Sequence, residues 1–284
     1  MNTREGRFTG ARGVDTYYRY WLSDGPPRAL VLLAHGAGEH SGRYAKLAEY
    51  LTARDYAVAA LAHVGHGKSA GTPGFVERFD DYLDSLYLLQ RQLDGDIPDP
   101  PRILLGHSMG GLICALYLLR HQEDFIACIL SGPAIMAQVQ PGALQLLLIR
   151  LLSAVRPRLG VLQLDASAVS RDPQVVRDYL DDPLVHHGKL SARKVAQLFA
   201  AMQRIQRQAA QITLPMLLLH GASDTLASPD GSRFLFEHIS SKDKILKIYP
   251  DLYHEIFNEP ERETVMADVV AWCNDRTGER TSTT

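Results

Sequence analysis

Gly106-His107-Ser108-Met109-Gly110 fits the pattern G-x-S-x-G, and its flanks make the match informative. The largely apolar run at residues 102–105 leads into it, and a helix-forming run at residues 112–120 leads out. Strand, sharp turn and helix are the context of a nucleophile elbow, in which small residues must flank the central serine because the turn is so tight. The sequence therefore predicts that Ser108 is a nucleophile presented at the end of a buried strand.

Strand and helix patterns alternate on both sides of this elbow. A strand at residues 17–22 follows one near residues 7–11, with which we expect it to pair. Further strands are predicted at residues 29–34, 56–62, 126–130, 216–220 and 245–249, and helices at residues 44–54, 79–93 and 261–275. This alternation predicts an α/β fold with a mostly parallel central sheet and helices on both faces.

The alternation stops in the middle of the chain, where the pattern becomes helical and irregular. The predicted organisation is a core of residues 1–133 and 212–276, a helical insertion of residues 134–211, and a disordered tail of residues 277–284. The insertion starts near the carboxyl ends of the strands, where open α/β sheets bind ligands. We therefore expect it to cover the site as a lid.

Composition narrows the class of protein. Of the 284 residues, 46% are hydrophobic and 22% charged, as in ordinary globular proteins, and the net charge of −2 gives no reason to expect nucleic acid as a partner. The start of the chain has no apolar segment of a secretory signal, and no apolar run reaches the length of a membrane span. Three widely spaced cysteines do not form a disulfide framework. A cytoplasmic location is expected, extending to peripheral contact with the inner membrane surface.

A serine nucleophile needs a base, and the base needs an orienting acid. Asp224 directly follows one buried strand and His254 follows the last strand, which gives the order Ser, Asp, His found in α/β-hydrolases. Taken singly, Asp224 could cap its loop and His254 could be a surface residue. Their order and position together favour a catalytic triad.

An oxyanion hole needs two hydrogen-bond donors. The first is the amide of Met109, next to the nucleophile. The second is assigned to the amide of Ala37, because His35-Gly36-Ala37-Gly38 matches the H-G-x-G element of lipases and esterases. The alternative for this segment is an ordinary glycine turn.

Longer strings carry a more specific resemblance. Residues 35–44 (HGAGEHSGRY), 63–69 (HVGHGKS) and 106–111 (GHSMGG) closely resemble signatures of monoacylglycerol lipases, as do residues 164–171 and 179–184 of the insertion. The likeness extends over about residues 17–272. It implies an α/β-hydrolase fold with a helical cap, and hydrolysis of monoacylglycerols to fatty acid and glycerol, with no cofactor and no metal.

The resemblance also implies roles for individual residues. It assigns Ser108, Asp224 and His254 as the triad. Glu39 and Arg43 match positions at the polar end of the family's pocket, where the glycerol head would lie, and Tyr179 matches a tyrosine of the cap. An ion pair with a purely structural role is the alternative for Glu39 and Arg43, which lie four residues apart.

The chain departs from the mammalian members of this family at several positions. Phe257 stands where those enzymes carry a histidine three residues after the catalytic one. Their cap and pocket cysteines are absent, with residues such as His186 and Ala227 in their places. Head-group preference and thiol sensitivity therefore do not carry over.

Residues 141–156 form an apolar helix whose charges are Arg150 and Arg156. Such a helix is typical of transient contact with a lipid surface. The alternatives are a helix buried against the core or one in an oligomer contact.

Two other functions stay open beside monoacylglycerol hydrolysis. The nearer is that of a lysophospholipase or general carboxylesterase of the same fold. The farther is a ligand-binding protein without activity. The sequence leaves the oligomeric state and the chain-length preference open.

Overall fold

A computed structural model describes residues 2–96, 100–139 and 141–278 of the chain. Within these ranges the strands are β1 (Asn2–Thr9), β2 (Asp15–Leu22), β3 (Ala29–Ala34), β4 (Tyr56–Leu61), β5 (Arg102–His107), β6 (Ala127–Ser131), β7 (Gly160–Leu162), β8 (Leu190–Ser191), β9 (Met216–Gly221) and β10 (Lys244–Tyr249). The α-helices are α1 (Ala45–Thr52), α2 (Asp80–Asp96), α3 (Met109–His121), α4 (Ala143–Val155), α5 (Pro173–Asp181), α6 (Ala192–Gln208), α7 (Pro229–His238) and α8 (Arg262–Thr277).

Eight of these strands form one sheet in the order β1-β2-β4-β3-β5-β6-β9-β10. The pairs β1–β2 and β2–β4 are antiparallel and the remaining pairs are parallel. This confirms the predicted α/β class and the mostly parallel sheet. Because parallel strands end at the same edge, the loops after β3, β5, β6, β9 and β10 meet there.

Helices cover both faces of the sheet and bury a core on each side. In β3, Leu30 and Leu32 pack into a core that includes residues of α2, α3 and α7. Val31 and Leu33 pack into the opposite core with residues of α1 and α8. Successive side chains of a strand point to opposite faces, so a strand buried on both sides must be apolar throughout. These strands could therefore be recognised in the sequence as continuous apolar segments.

The first strand begins earlier, and the last helix ends later, than expected. The first strand is β1, which begins at Asn2 rather than near residue 7 and pairs with the whole of β2. Most of its residues are exposed at the sheet edge, so they carry no apolar pattern. Thr277, expected in the disordered tail, is the last residue of α8, and its hydroxyl donates to the carbonyl of Cys273 (3.1 Å). Residues 279–284 of the expected tail lie outside the described residues.

Residues 134–211, the predicted insertion, contain α4, α5 and α6 and the two-stranded ribbon β7–β8. These two strands have three and two residues, too short for a sequence pattern to indicate them. In the described ranges, no helix combines the length and apolarity needed to cross a bilayer.

A buried lysine ties the insertion to the core. Lys194, near the start of α6, is 1% exposed, and its Nζ lies 3.0 Å from Nε2 of His66 in the loop after β4. His66 Nδ1 donates to the carbonyl of Val64, so Nε2 is free to accept from the lysine. Burial lowers the pKa of Lys194 to about 7 because a charged ammonium is poorly solvated there.

This lysine predicts a pH-dependent stability. Above about pH 7 the folded protein carries a neutral Lys194 while the unfolded chain stays protonated up to its ordinary pKa of 10.5, so unfolding takes up a proton. The melting temperature of the wild type relative to Lys194→Met should therefore rise between about pH 7 and about pH 9. Thermal unfolding of the wild type and of Lys194→Met measures this difference in melting temperature. Lys46→Met, at an exposed position, is the control variant. Parallel pH curves for wild type and Lys194→Met would contradict it.

Candidate active site

Ser108 lies in the turn between β5 and α3, with φ 55° and ψ −119°. This is a strained backbone for a residue with a side chain. The turn depends on its glycines: a Cβ at Gly110 would lie 2.0 Å from the carbonyl oxygen of Ala34, and one at Gly106 would lie 2.4 Å from the oxygen of Gly110. The Ser108 amide donates to the carbonyl of Ser131 at 3.0 Å. The turn therefore presents the serine at the edge where the strands end.

Asp224 lies buried in the loop after β9, 1% exposed, and orients His254. Nδ1 of His254 donates to Oδ2 of Asp224 at 2.6 Å. The other carboxylate oxygen, Oδ1, accepts the amides of Leu226 and Ala227 at 2.8 and 3.0 Å. These bonds require the tautomer of His254 in which Nε2 can take a proton, which is the atom a base needs.

The surrounding charges favour an ionised Asp224 paired with a His254 that can take up a proton. Burial opposes the charge on Asp224, but His254 and the hydrogen bonds from His220 and His254 outweigh it, so the pKa of Asp224 lies well below its usual range. Burial also disfavours a charged imidazole, yet Asp224, followed by Glu255 and Glu39, raises the pKa of His254 above its ordinary value. The carboxylate stays ionised and stabilises the imidazolium that forms when the base takes a proton.

Two backbone amides are available beside Ser108. The Met109 amide belongs to the first turn of α3, where N–H groups have no partner within the helix. In the loop after β3, the Gly36 amide donates to Oε1 of Glu39 at 2.6 Å and is already engaged. Ala37, the next residue, lines the same pocket as Ser108, Met109 and His254. The structure thus brings the expected oxyanion residues to the nucleophile.

A polar cluster forms one wall of this pocket. Arg43 makes a bidentate ion pair with Glu255, with Nη2 to Oε2 at 2.9 Å, and its Nη1 lies 3.5 Å from Oε2 of Glu39. The arginine also lies over the ring of Tyr179, 4.6 Å from its centroid. Glu39, Glu255 and Tyr179 line the main pocket, and Arg43 lines a small cavity adjoining it. The ion pair considered as an alternative is therefore present, but within the wall of the pocket.

In this cluster the carboxylates of Glu39 and Glu255 share the guanidinium of Arg43. Burial and the charge of Glu255 raise the pKa of Glu39 to about 7, against the opposing charge of Arg43. Oε1 of Glu39 also accepts the hydroxyl of Tyr44 at 2.6 Å. Glu39 can thus hold or release a proton near neutral pH while it faces the pocket.

The remaining walls are apolar and come largely from the insertion. About 840 Å³ of space, part of it open to solvent, lies within the pocket. The apolar side chains that line it are those of Met136, Leu162, Leu164, Val169, Leu190, Leu198, Phe199, Met202 and Leu226. The site therefore combines apolar walls, a polar wall and a serine in one pocket.

Sequence reasoning missed two residues of this site, Glu255 and His220. Glu255 directly follows His254, and an acidic residue inside the mostly apolar run of residues 252–257 was the available signal. Phe257, the departure noted above, is buried in the core beside α8 and lines only the small cavity. Ala227 lines the main pocket, whereas His186 lines a separate cavity formed by residues of the insertion.

Comparison with known proteins places the chain among lipases. A family model described as "Serine aminopeptidase, S33" matches residues 25–261. The chain is similar to monoacylglycerol lipase of Mycolicibacterium smegmatis, with 42% identity over 94% of this chain and 96% of that protein. It is 37% identical to monoglyceride lipase of Rattus norvegicus, over 94% and 89% of the two chains. The crystal structure of Paleococcus ferrophilus monoacylglycerol lipase matches with a TM-score of 0.79 and 32% identity, over 96% of this chain and 98% of that one.

Replacing Asp224 with Asn tests the assigned orientation of His254. Hydrolysis of a nitrophenyl ester should slow by about 10⁴-fold, because the amide cannot stabilise the imidazolium or hold the required tautomer. The acid limb of the residual kcat/KM profile should move to lower pH, since Asp224 raises the pKa of His254. Asp230→Asn, an exposed change on α7, is the matched control. A rate and an acid limb equal to those of the control would rule out this role.

Proposed function

The chain belongs to the monoacylglycerol lipase family of α/β-hydrolases, and we propose that it hydrolyses monoacylglycerols to a free fatty acid and glycerol through an acyl-enzyme on Ser108. It is a carboxylic ester hydrolase whose reaction uses no cofactor. One observation carries the proposal: Ser108, His254, Ala37 and Met109 line one pocket together with many apolar side chains and the polar groups of Glu39, Glu255 and Tyr179. An ester of a long apolar acid with a small polar alcohol fits that combination.

The proposed reaction follows from the positions of these groups. His254 Nε2 takes the proton of Ser108 as the hydroxyl oxygen attacks the ester carbonyl. The amides of Ala37 and Met109 donate to the oxyanion while Asp224 stabilises the imidazolium. His254 then protonates the departing glycerol oxygen. Water, activated by the same base, cleaves the acyl-enzyme and releases the fatty acid.

The polar wall supports an uncharged head group. Glu39 and Glu255 place two carboxyl groups beside one guanidinium, so the cluster offers hydroxyl-binding oxygens and no surplus positive charge. A phosphate there would face like charges, which disfavours a lysophospholipid. We assign Glu39, Arg43 and Tyr179 to the alcohol end, with Arg43 acting through Glu39 and Glu255. Phe257, buried in the core, offers no hydrogen bond to this end.

The insertion acts in this proposal as the lid of the acyl chamber and as its contact with lipid. Apolar side chains of α4 are open to solvent, with Leu144, Leu147, Leu151 and Val155 between 58% and 69% exposed. Only Ser153 of α4 is buried, so this helix is not packed into the core as one alternative had it. A helix with such a surface, with Arg150 within it and Arg156 at its end, binds membranes by burying its leucines at the lipid boundary. A transient lipid contact would deliver substrate to the pocket mouth.

A substrate panel tests the proposed reaction. The wild type should hydrolyse monoacylglycerols with a higher kcat/KM than lysophosphatidylcholine or nitrophenyl esters, because the polar wall suits glycerol. Ser108→Ala should lose at least about 10³-fold of that activity, since only binding and the oxyanion hole would remain. Circular dichroism of the variant controls for folding.

Each other outcome selects a different function. Preference for lysophosphatidylcholine or short nitrophenyl esters would replace the monoacylglycerol assignment with that of a lysophospholipase or a general esterase. Hydrolysis retained in Ser108→Ala would overturn the nucleophile. Binding of lipid without turnover would indicate a non-catalytic protein on a hydrolase fold.

The lipid contact is tested by replacing Leu147 and Leu151 with Ser. Co-sedimentation with anionic liposomes should fall, because about 0.8 kcal/mol is lost per CH₂ no longer buried in lipid. Hydrolysis of a water-soluble ester should stay unchanged. The double variant with Leu88→Ser and Ile245→Ser, at exposed positions outside α4, serves as control. Equal liposome binding by the wild type and both double variants would refute the contact.

A further inference from the structure

Asp224 is contacted by a second histidine, His220, the fifth residue of β9. Nε2 of His220 lies 3.0 Å from Oδ2 of Asp224, the same oxygen that accepts from His254. It also lies 3.2 Å from the carbonyl oxygen of Ala227. On the other side of the ring, Nδ1 lies 2.7 Å from Oγ of Ser232 in α7. His220 and Ser232 are both fully buried and take no part in the reaction derived above.

These contacts determine where His220 carries its proton. Both oxygens facing Nε2 are acceptors only, so Nε2 must bear a hydrogen. Nδ1 faces a hydroxyl, which can donate to it. The neutral tautomer with hydrogen on Nε2 therefore satisfies every neighbour, and the Ser232 hydroxyl selects it.

The contact completes the surroundings of the Asp224 carboxylate. Oδ1 accepts two backbone amides, and Oδ2 faces two imidazole N–H groups, those of His254 and His220. A carboxylate engaged on both oxygens cannot rotate without losing several bonds at once. The charge on Oδ2 is also divided between two donors, so less of it acts on His254 than a single partner would receive.

We propose that His220 is a positioning residue for the base: its Nε2–H holds Oδ2 of Asp224 toward His254 and limits how strongly that oxygen retains the proton on His254. The inference rests on the proposed function, since it takes Ser108, Asp224 and His254 as the working triad. It assigns to the wild type an imidazole that is oriented by the carboxylate and still releases its proton readily to the leaving group.

Other charged and titratable groups also face His254. His107, at the end of β5, packs against it with the rings tilted by 51° and their centroids 4.7 Å apart, and burial keeps the pKa of His107 well below its ordinary value. Glu255 adjoins it in its own loop, and Glu39 faces it from the loop after β3; both share Arg43. Among the residues that the structure describes, no hydrogen bond or ion pair joins these groups to His220, whose partners are Asp224, Ala227 and Ser232. A substitution at His220 therefore changes the field at His254 through Asp224.

The test compares His220→Asn with His220→Gln. The amide nitrogen of Asn reaches the place of Nδ1, beside Ser232, and leaves no donor for Asp224. The amide nitrogen of Gln reaches the place of Nε2 and restores that donor. Both variants keep a buried carboxamide, so a general loss of packing affects them alike. The acid limb of the kcat/KM profile, which reports the base in the free enzyme, is measured with a water-soluble ester.

In His220→Asn the acid limb should move to higher pH, because Oδ2 then stabilises the imidazolium of His254 alone. The rate at the plateau should fall by about 10- to 100-fold as the carboxylate loses its orientation. His220→Gln should bring the acid limb back toward that of the wild type. Ser232→Ala, which loosens the ring without removing it, should give a smaller shift in the same direction and serves if the Asn variant does not fold.

Equal acid limbs in the wild type, His220→Asn and Ser232→Ala would overturn the proposal, as would equal shifts in the Asn and Gln variants. These outcomes are separate from failure of the proposed function. If Ser108→Ala remains active, or if the wild type hydrolyses no ester, the triad itself is wrong. If the wild type is active and Ser108→Ala is not, an unmoved acid limb refutes the role of His220 alone.

Discussion

The close approach of backbone segments around Ser108 is the constraint on which the site depends. Gly110 packs against the carbonyl of Ala34 with no room for a side chain, and a Cβ on Gly36 would lie 3.2 Å from that of Ser108. These segments follow β3 and β5, which are neighbours in the sheet, and the amide of Ser108 is fixed to the end of β6. The same contacts that force the serine into a strained turn therefore bring the oxyanion amides beside it. Strain at the nucleophile is sustained by the buried sheet beneath it.

The carboxyl side chains near His254 fall into two groups, Asp224 alone and the pair of Glu39 and Glu255. Asp224 is saturated with donors and held ionised, so it orients and stabilises the base. Glu39 and Glu255 share Arg43 and face the pocket, where the pKa of Glu39 lies at about 7. In the proposed reaction, Asp224 determines how readily His254 accepts a proton, and Glu39 and Glu255 determine which alcohol can lie beside it. Because His254 lies next to both, the proposal couples the choice of head group to the chemistry.

The sequence allowed the central sheet, which the structure confirms, to be predicted and the triad to be proposed, both for physical reasons. Strands buried on both faces must be apolar throughout, and catalytic side chains at strand ends occur in a fixed order along the chain. The exposed edge strand β1 and the short ribbon β7–β8 bury little, so they left no pattern. Arg43 and Glu255 lie 212 residues apart, and their contact exists only once the sheet brings the two loops together. The contact of His220 with Asp224 likewise depends on the turn between them, which composition does not reveal.

Trapping the covalent intermediate tests whether Ser108 is the residue that carries the acyl group. The wild type is mixed with a monoacylglycerol, quenched in acid during turnover, digested and examined by mass spectrometry. The peptide containing Ser108 should gain the mass of the acyl group, and the adduct should disappear as the substrate is exhausted. An acyl group on another residue, or turnover with no acylated peptide at any quench time, would contradict it.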